Sequence, residues 1–219
     1  MNRRILLALV SALPVCAQPA EQTPVIEIFG GPSYANVEYG APKAPPATSP
    51  SDRRANFFGG QGCFSFTPHK NIRLLGDFGM QSWRPGIQWW SRDTKFRNWQ
   101  FLLGPQFTKR TKKSTAFTHV LAGVGTTHLT VPSITPVAPG EDNVSVITND
   151  SGFAMAFGGG LDVNVRPHFA IRVLQADYLL THFHREPLLA GNYLINPLAR
   201  SWQSHFRLGA GVVIKLYAR

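Results

Sequence analysis

The chain has 219 residues, with 22 Lys and Arg against 12 Asp and Glu and a formal charge of +10. That length holds one or two domains, and no stretch approaches about 18 consecutive apolar residues, which excludes a membrane-spanning helix. Its two cysteines are Cys16 and Cys63; Cys16 falls in a removable leader, which excludes an intramolecular disulfide and a cysteine-based metal site.

Residues 1–17 read as a secretory signal peptide. Arg3 and Arg4 are the charged region, Ile5 to Leu13 the short apolar core, and Val15 and Ala17 the small residues before cleavage at Gln18. A lipoprotein reading of Cys16 is disfavoured, because Val15 is bulkier than the Gly, Ala or Ser expected before such a Cys. Loss of Arg3 and Arg4 takes the charge from +10 to +8. A basic chain suggests nucleic acid, but export argues against that partner and favours anionic lipid head groups. Exported without a spanning helix, the protein is periplasmic, secreted or an outer-membrane barrel.

Residues 18–24 form a short polar lead. A first strand follows from Val25 to Tyr34, with Ile26 and Ile28 on one face and Glu27 and Phe29 on the other. The prolines of residues 35–55 mark a long loop. Two strands then run from Asn56 to Thr67 and from Ile72 to Gln81, joined by Pro68-His69-Lys70-Asn71. In the second, Ile72, Leu74, Phe78 and Met80 oppose Arg73, Leu75, Asp77 and Gly79. A long connection from Ser82 to Asn98 holds Trp83, Trp89 and Trp90. Next, Trp99, Phe101, Leu103 and Phe107 alternate with Gln100, Leu102, Gly104 and Gln106. The basic turn Lys109 to Lys113 leads into a strand from Ser114 to Thr130, where Val120, Ala122 and Val124 oppose His119, Leu121, Gly123 and Gly125. A third long loop covers Val131 to Ser151.

A third pair of strands runs from Gly152 to Val165 and from Phe169 to Thr181 around the turn Arg166-Pro167-His168. Asp162 takes the polar face of the first. The second is irregular: with Gln175 and Asp177 pointing inward, regular alternation leaves Arg172 on the outer side. Either Arg172 snorkels at a membrane edge or a bulge resets the face near Val173. A fourth loop, His182 to Arg200, precedes the last strand, Ser201 to Tyr217. There Trp202, Phe206, Leu208, Ala210, Val212, Ile214 and Leu216 form one face, and Gln203, His205, Arg207, Gly209, Gly211, Val213 and Lys215 the other. A period of two is a strand. An apolar outer face opposite a polar, basic one is the pattern of a strand with lipid outside and a polar interior.

Short turns and long connections alternate strictly through eight strands, the connectivity of an up-and-down meander that can close on itself. Closure removes the edges that lipid could not satisfy. The predicted fold is therefore all-β, an eight-stranded antiparallel up-and-down transmembrane β-barrel over residues 25–219, with short turns periplasmic and long loops outside. Trp83, Trp89, Trp90, Trp99 and Trp202 fall in or beside the outer loops, where amphipathic rings sit at a bilayer interface.

The opening IEIFGGPSY, the seventh-strand QADYLLTHF and the closing FRLGAGVVIKLY resemble the small eight-stranded bacterial outer-membrane barrels of the outer-membrane protein A-like barrel domain family. The resemblance spans the chain after its leader and implies a fold and a location rather than an activity. It also implies that an ion gate is conceivable.

The inward faces carry Glu27, Arg73, Asp77, His119, Asp162, Asp177, His205, Arg207 and Lys215. In a narrow barrel these charges must pair. Strand order and height suggest Glu27 with Lys215 and Asp177 with Arg207. The expected role is a structural polar network, because eight-stranded barrels are filled by side chains. His182 and His184 share one side of an extended strand end, but no third ligand is specified and no metal is expected. Gly158-Gly159-Gly160 precedes no helix, so it is not a phosphate loop. No catalytic residue and no cofactor are assigned: Ser204 and His205 are adjacent and face opposite ways, and the His-x-Ser pattern of barrel lipid A deacylases is missing. The expected function is a non-enzymatic, monomeric integral outer-membrane protein in contact with lipid, whose loops meet an outside partner. The alternatives are a lipid-modifying barrel enzyme and a soluble calycin-like binder of an apolar ligand.

Overall fold

The computed structural model of the chain describes residues 23–38, 54–83, 95–131, 146–183, 189–190, 193–194 and 202–218. Its strands are β1 (Ile26–Glu38), β2 (Arg54–His69), β3 (Ile72–Trp83), β4 (Lys95–Arg110), β5 (Ser114–Val131), β6 (Val146–Arg166), β7 (Phe169–Phe183), β8 (Leu189–Ala190), β9 (Tyr193–Leu194) and β10 (Trp202–Leu216). Eight of them close into a barrel in the order β1-β10-β7-β6-β5-β4-β3-β2, and β8 and β9 form a separate two-stranded sheet. Every neighbouring pair around the barrel is antiparallel. β10 lies between β7 and β1 and so seals the sheet. The expected signal peptide over residues 1–17, with Cys16, and Trp89, Trp90 and His184 lie outside the described residues.

Alternation decides what each strand buries. Outward side chains are large and apolar, including Phe58 at 64% exposure and Phe101 at 62%. Ile28, Phe64, Leu74, Phe78, Leu103, Phe107, Val124, Phe157 and Ile214 continue this surface around the wall. Covering each large apolar side chain is worth roughly 1.5–3 kcal/mol, so a wall of them in water would be untenable. Against hydrocarbon it is the lowest-energy surface available. Inside, Phe29, Leu75, Leu102, Leu121, Leu179 and Val213 pack among buried polar groups.

The strands run further toward the long connections than alternation predicts. β1 continues to Glu38, β4 begins at Lys95, and β6 begins at Val146. Beyond the apolar band both faces carry polar residues, so the period-two signal fades while the backbone ladder continues. Thr126 and Ser151, paired across β5 and β6 with their hydroxyls 3.0 Å apart, mark such an extension. The β8–β9 pair lies in a stretch that the sequence reads as loop.

β7 contains a bulge. Val173 and Leu174 are both half exposed, while Arg172 and Gln175 on either side of them are both buried. The register of β7 shifts at this point against both β10 and β6. Two consecutive residues therefore face lipid, and Arg172 turns inward, the second of the alternatives open in the sequence.

The closing seam between β1 and β10 depends on close backbone approach. A Cβ on Gly31 would lie 1.9 Å from the Ala210 carbonyl oxygen, and one on Gly211 would lie 2.3 Å from that of Gly30. Pro32, beside Gly31, offers no N–H to the ladder at the same place.

Candidate functional site

The barrel interior concentrates ionisable groups. Four carboxylates, Glu27, Asp77, Asp162 and Asp177, and four cations, Arg73, Arg172, Arg207 and Lys215, are each at most 4% exposed. Four negative charges against four positive ones leave this set formally neutral. His119 and His205 are buried among them at 1% exposure each.

Near the short turns, both terminal nitrogens of Arg73 donate to the two oxygens of Glu27, a fork that spans from β3 over β2 to β1. Lys215 lies opposite Glu27 in the β1–β10 register, and its Nζ donates to Asn164 Oδ1 at 2.5 Å. The guanidinium partner of Glu27 is thus Arg73, which expectations based on neighbouring strands could not supply.

Also toward the β6–β7 turn, Arg172 donates through Nε to Asp162 Oδ1 at 2.7 Å and through Nη2 to Oδ2 at 3.1 Å. Its Nη1 donates to Gln175 Oε1 at 2.7 Å. The same guanidinium stands 4.2 Å from the centroid of the Phe29 ring and 4.3 Å from that of Phe117. Aromatic faces and a forked carboxylate together compensate a planar cation that would otherwise be stranded away from water.

Gln175 passes the network on, its Nε2 donating to Asp177 Oδ2 at 2.9 Å. Arg207 donates to that oxygen through Nε at 3.0 Å and Nη2 at 2.7 Å. His119 Nε2 donates to the other Asp177 oxygen at 2.9 Å. From Arg207, Nη1 reaches Asp77 Oδ1 at 2.8 Å. Asp77 Oδ2 accepts from Gln61 Nε2 at 2.5 Å and from the Cys63 thiol at 3.1 Å. A continuous chain of charge-assisted hydrogen bonds therefore joins β6, β7, β10, β3 and β2, with β5 attached through His119. A carboxylate held by this many donors is a structural acceptor and is poorly suited to act as a general base.

The end of the lumen near the long connections is different. Phe57 and Phe96 are buried beside Ala35, Val37 and Ala55, with Trp83 packed against them. Ring centroids are 5.8 Å apart for Phe57 and Trp83, and 5.7 Å for Trp83 and Phe96. This corrects the reading of Trp83 as an interfacial aromatic. It shares the parity of Arg73, Asp77 and Gln81 on β3, so its ring turns inside. Trp99, near Phe78, and Trp202, edge-on to His182 at 4.8 Å, are on the outer surface.

Ser204 accepts a hydrogen bond from Arg54 Nη2 at 2.8 Å, while His205 points into the barrel, so the two stand on opposite sides of β10. The polar interior is the inverse of what a soluble barrel for apolar ligands presents. Sequence reasoning missed Gln61, read the inward parity of Gln100 and Gln175 without giving them a part in the network, and left Arg172 undecided.

No family model matches the chain, and no curated protein matches it in sequence. Solved structures do. Neisserial surface protein A is similar over 90% of this chain and all of its own, with a TM-score of 0.55 and 12% identity. The outer membrane protein OprG from Pseudomonas aeruginosa is similar over 90% of this chain and 98% of its own, with a TM-score of 0.50 and 11% identity. The fold is that of the small outer-membrane β-barrels. At these identities the likeness is one of fold, and the resemblance to the outer-membrane protein A-like family in particular rests on sequence pattern.

Proposed function

We propose that the protein is a non-enzymatic integral barrel of the outer membrane, closed to bulk solutes by its interior network, with its four long connections turned outward for surface contact. One observation carries this reading: a continuous apolar wall encloses a lumen in which Glu27, Asp77, Asp162 and Asp177 are each bonded to a buried guanidinium. Side chains fill a barrel of this strand number, so a wide channel has no room. Interlocked guanidinium and carboxylate groups hold the strands in register and leave none of these four carboxylates without a guanidinium.

Membrane fractionation followed by gel electrophoresis with and without boiling tests the embedding. The folded barrel belongs in the outer-membrane fraction and should migrate differently before and after heat. A periplasmic protein with unchanged migration would overturn the reading. Planar-bilayer recording tests closure: small or intermittent steps are expected, and steady porin-sized currents would refute the closed lumen.

A further inference from the structure

The three short turns carry Lys70, Lys109, Arg110, Lys112, Lys113 and Arg166, with no Asp or Glu among residues 68–71, 109–113 and 166–168. Among the described residues, the carboxylates near that end are Glu27 and Asp162, both buried and bonded to Arg73 and Arg172. On one side of this rim the surface is concave. A cavity of about 450 Å³ is lined by Lys112, Arg166, His168 and Lys215, with Val165 and Tyr217.

Its walls are stitched together from three parts of the chain. The Asn164 amide N–H donates to the Lys113 carbonyl at 2.8 Å, and the Lys215 N–H donates to that of His168 at 2.9 Å. His168 Nδ1 donates to the Lys215 carbonyl at 3.0 Å, and the Tyr217 hydroxyl to that of Pro167 at 2.8 Å. His168 and Tyr217 meet edge to face at 5.4 Å. Lys112 and Arg166 are exposed and make no side-chain hydrogen bond or ion pair with the described residues. Val165 belongs to the outer apolar wall and is 58% exposed. The cavity therefore opens toward the polar rim and the hydrocarbon-facing surface together.

We propose that this cavity binds the phosphate headgroup of an anionic phospholipid in the inner leaflet, with an acyl chain lying along Val165. The inference rests on the reading of the protein as an embedded barrel with periplasmic short turns. Cations with no exposed carboxylate beside them among the described residues select a net negative headgroup over a zwitterionic one. The apolar lining selects a lipid over free phosphate, which would have no use for Val165.

The test is native mass spectrometry of the folded barrel in a neutral maltoside detergent, with phosphatidylglycerol, phosphatidylcholine or inorganic phosphate added. The wild-type protein should retain one phosphatidylglycerol in preference to phosphatidylcholine. Replacing both unpaired cations, in Lys112→Gln with Arg166→Gln, should lower that preference about thirtyfold, the product of two charges near an anionic group. Equal retention of both lipids by the wild type, or an unchanged preference in the double variant, would overturn the proposal. Displacement of the lipid by inorganic phosphate at equal concentration would overturn it as well, by assigning the site to free phosphate. Wild-type selectivity and the single variant Lys112→Gln give independent readings if the double variant does not fold. A wild-type protein without a heat-dependent gel shift would sink the membrane reading itself, whereas a heat-shifting barrel without lipid preference would sink only this site.

Discussion

Arg207 and Asp177 face each other across the β10–β7 ladder, and the guanidinium holds a single carboxylate oxygen through Nε at 3.0 Å and Nη2 at 2.7 Å. Its remaining nitrogen spans the lumen to Asp77 at 2.8 Å. Arg207 is thus shared by two carboxylates, while Asp177 has other donors in Gln175 and His119.

This asymmetry orders the expected costs. Breaking a buried pair from one side costs roughly 3–5 kcal/mol. Arg207→Ala strands two carboxylates and should lie at the upper end. Asp177→Ala strands a guanidinium that keeps Asp77 and should lie at the lower end. The double variant should cost less than the sum of the singles. Reversible unfolding in urea from lipid vesicles measures the cycle, and additive singles would mean that the two residues do not interact.

The closing seam allows a paired comparison of adjacent glycines. A Cβ at Gly30 meets nothing within 4 Å, whereas at Gly31 it would lie 1.9 Å from a backbone oxygen of β10. Backbone cannot move aside as a side-chain tip does, so Gly31→Ala must spread β1 from β10. We expect Gly31→Ala to destabilise by about 1–3 kcal/mol, the usual range for overpacking. Gly30→Ala should stay within about 0.5 kcal/mol of the parent. The temperature at which each variant loses its folded gel mobility gives the order, and equal behaviour would contradict the close seam.

Much of this architecture was legible in alternation alone, because a membrane barrel sets opposite solvents on successive residues. The faces of β3, β4 and β5 and of β10 follow directly from parity. Pairing inside the lumen did not follow. Sequence height arguments match neighbouring strands, as with Asp177 and Arg207, but Glu27 on β1 finds Arg73 on β3, and Arg207 on β10 finds Asp77 on β3. Such contacts exist because the sheet curls on itself, and no local pattern encodes them. Trp83 was misjudged for another reason: its place beside a loop outweighed its parity, although parity decided where the ring went.

Leu208 lies near the middle of β10 on the outer face, opposite Tyr34 on β1 and Ala176 on β7. An arginine there must reach from the hydrocarbon centre to either interface. Leu208→Arg should cost about 2–4 kcal/mol, and Trp202→Arg at the strand end about 0–1 kcal/mol by the depth dependence of barrel surfaces. Refolding into vesicles reads both. A neutral Leu208→Arg would show that this face of β10 does not meet lipid.

The bulge at Val173 and Leu174 has a mechanical role that deletion can expose. With both residues facing outward, Arg172 and Gln175 can both face inward, where Arg172 forks Asp162 and stands by Phe29 and Phe117. Deleting Val173 leaves a single outward residue, Leu174, between Arg172 and Gln175, so strict alternation is restored with both still inward, and the register against β10 and β6 closes up. That deletion should keep the Asp162–Arg172 fork and the Asp177–Arg207 pair and should refold into vesicles. Deleting Ile171 instead shifts the parity of the strand before the bulge. Either Arg172 turns to the apolar wall, at about 2–4 kcal/mol at the midplane and less near an interface, and leaves buried Asp162 without its partner, or the bulge persists and Phe169 turns into the lumen. The Ile171 deletion should therefore refold less well than the Val173 deletion. Equal refolding of the two would show that the inward turn of Arg172 does not depend on the extra residue at this point of β7.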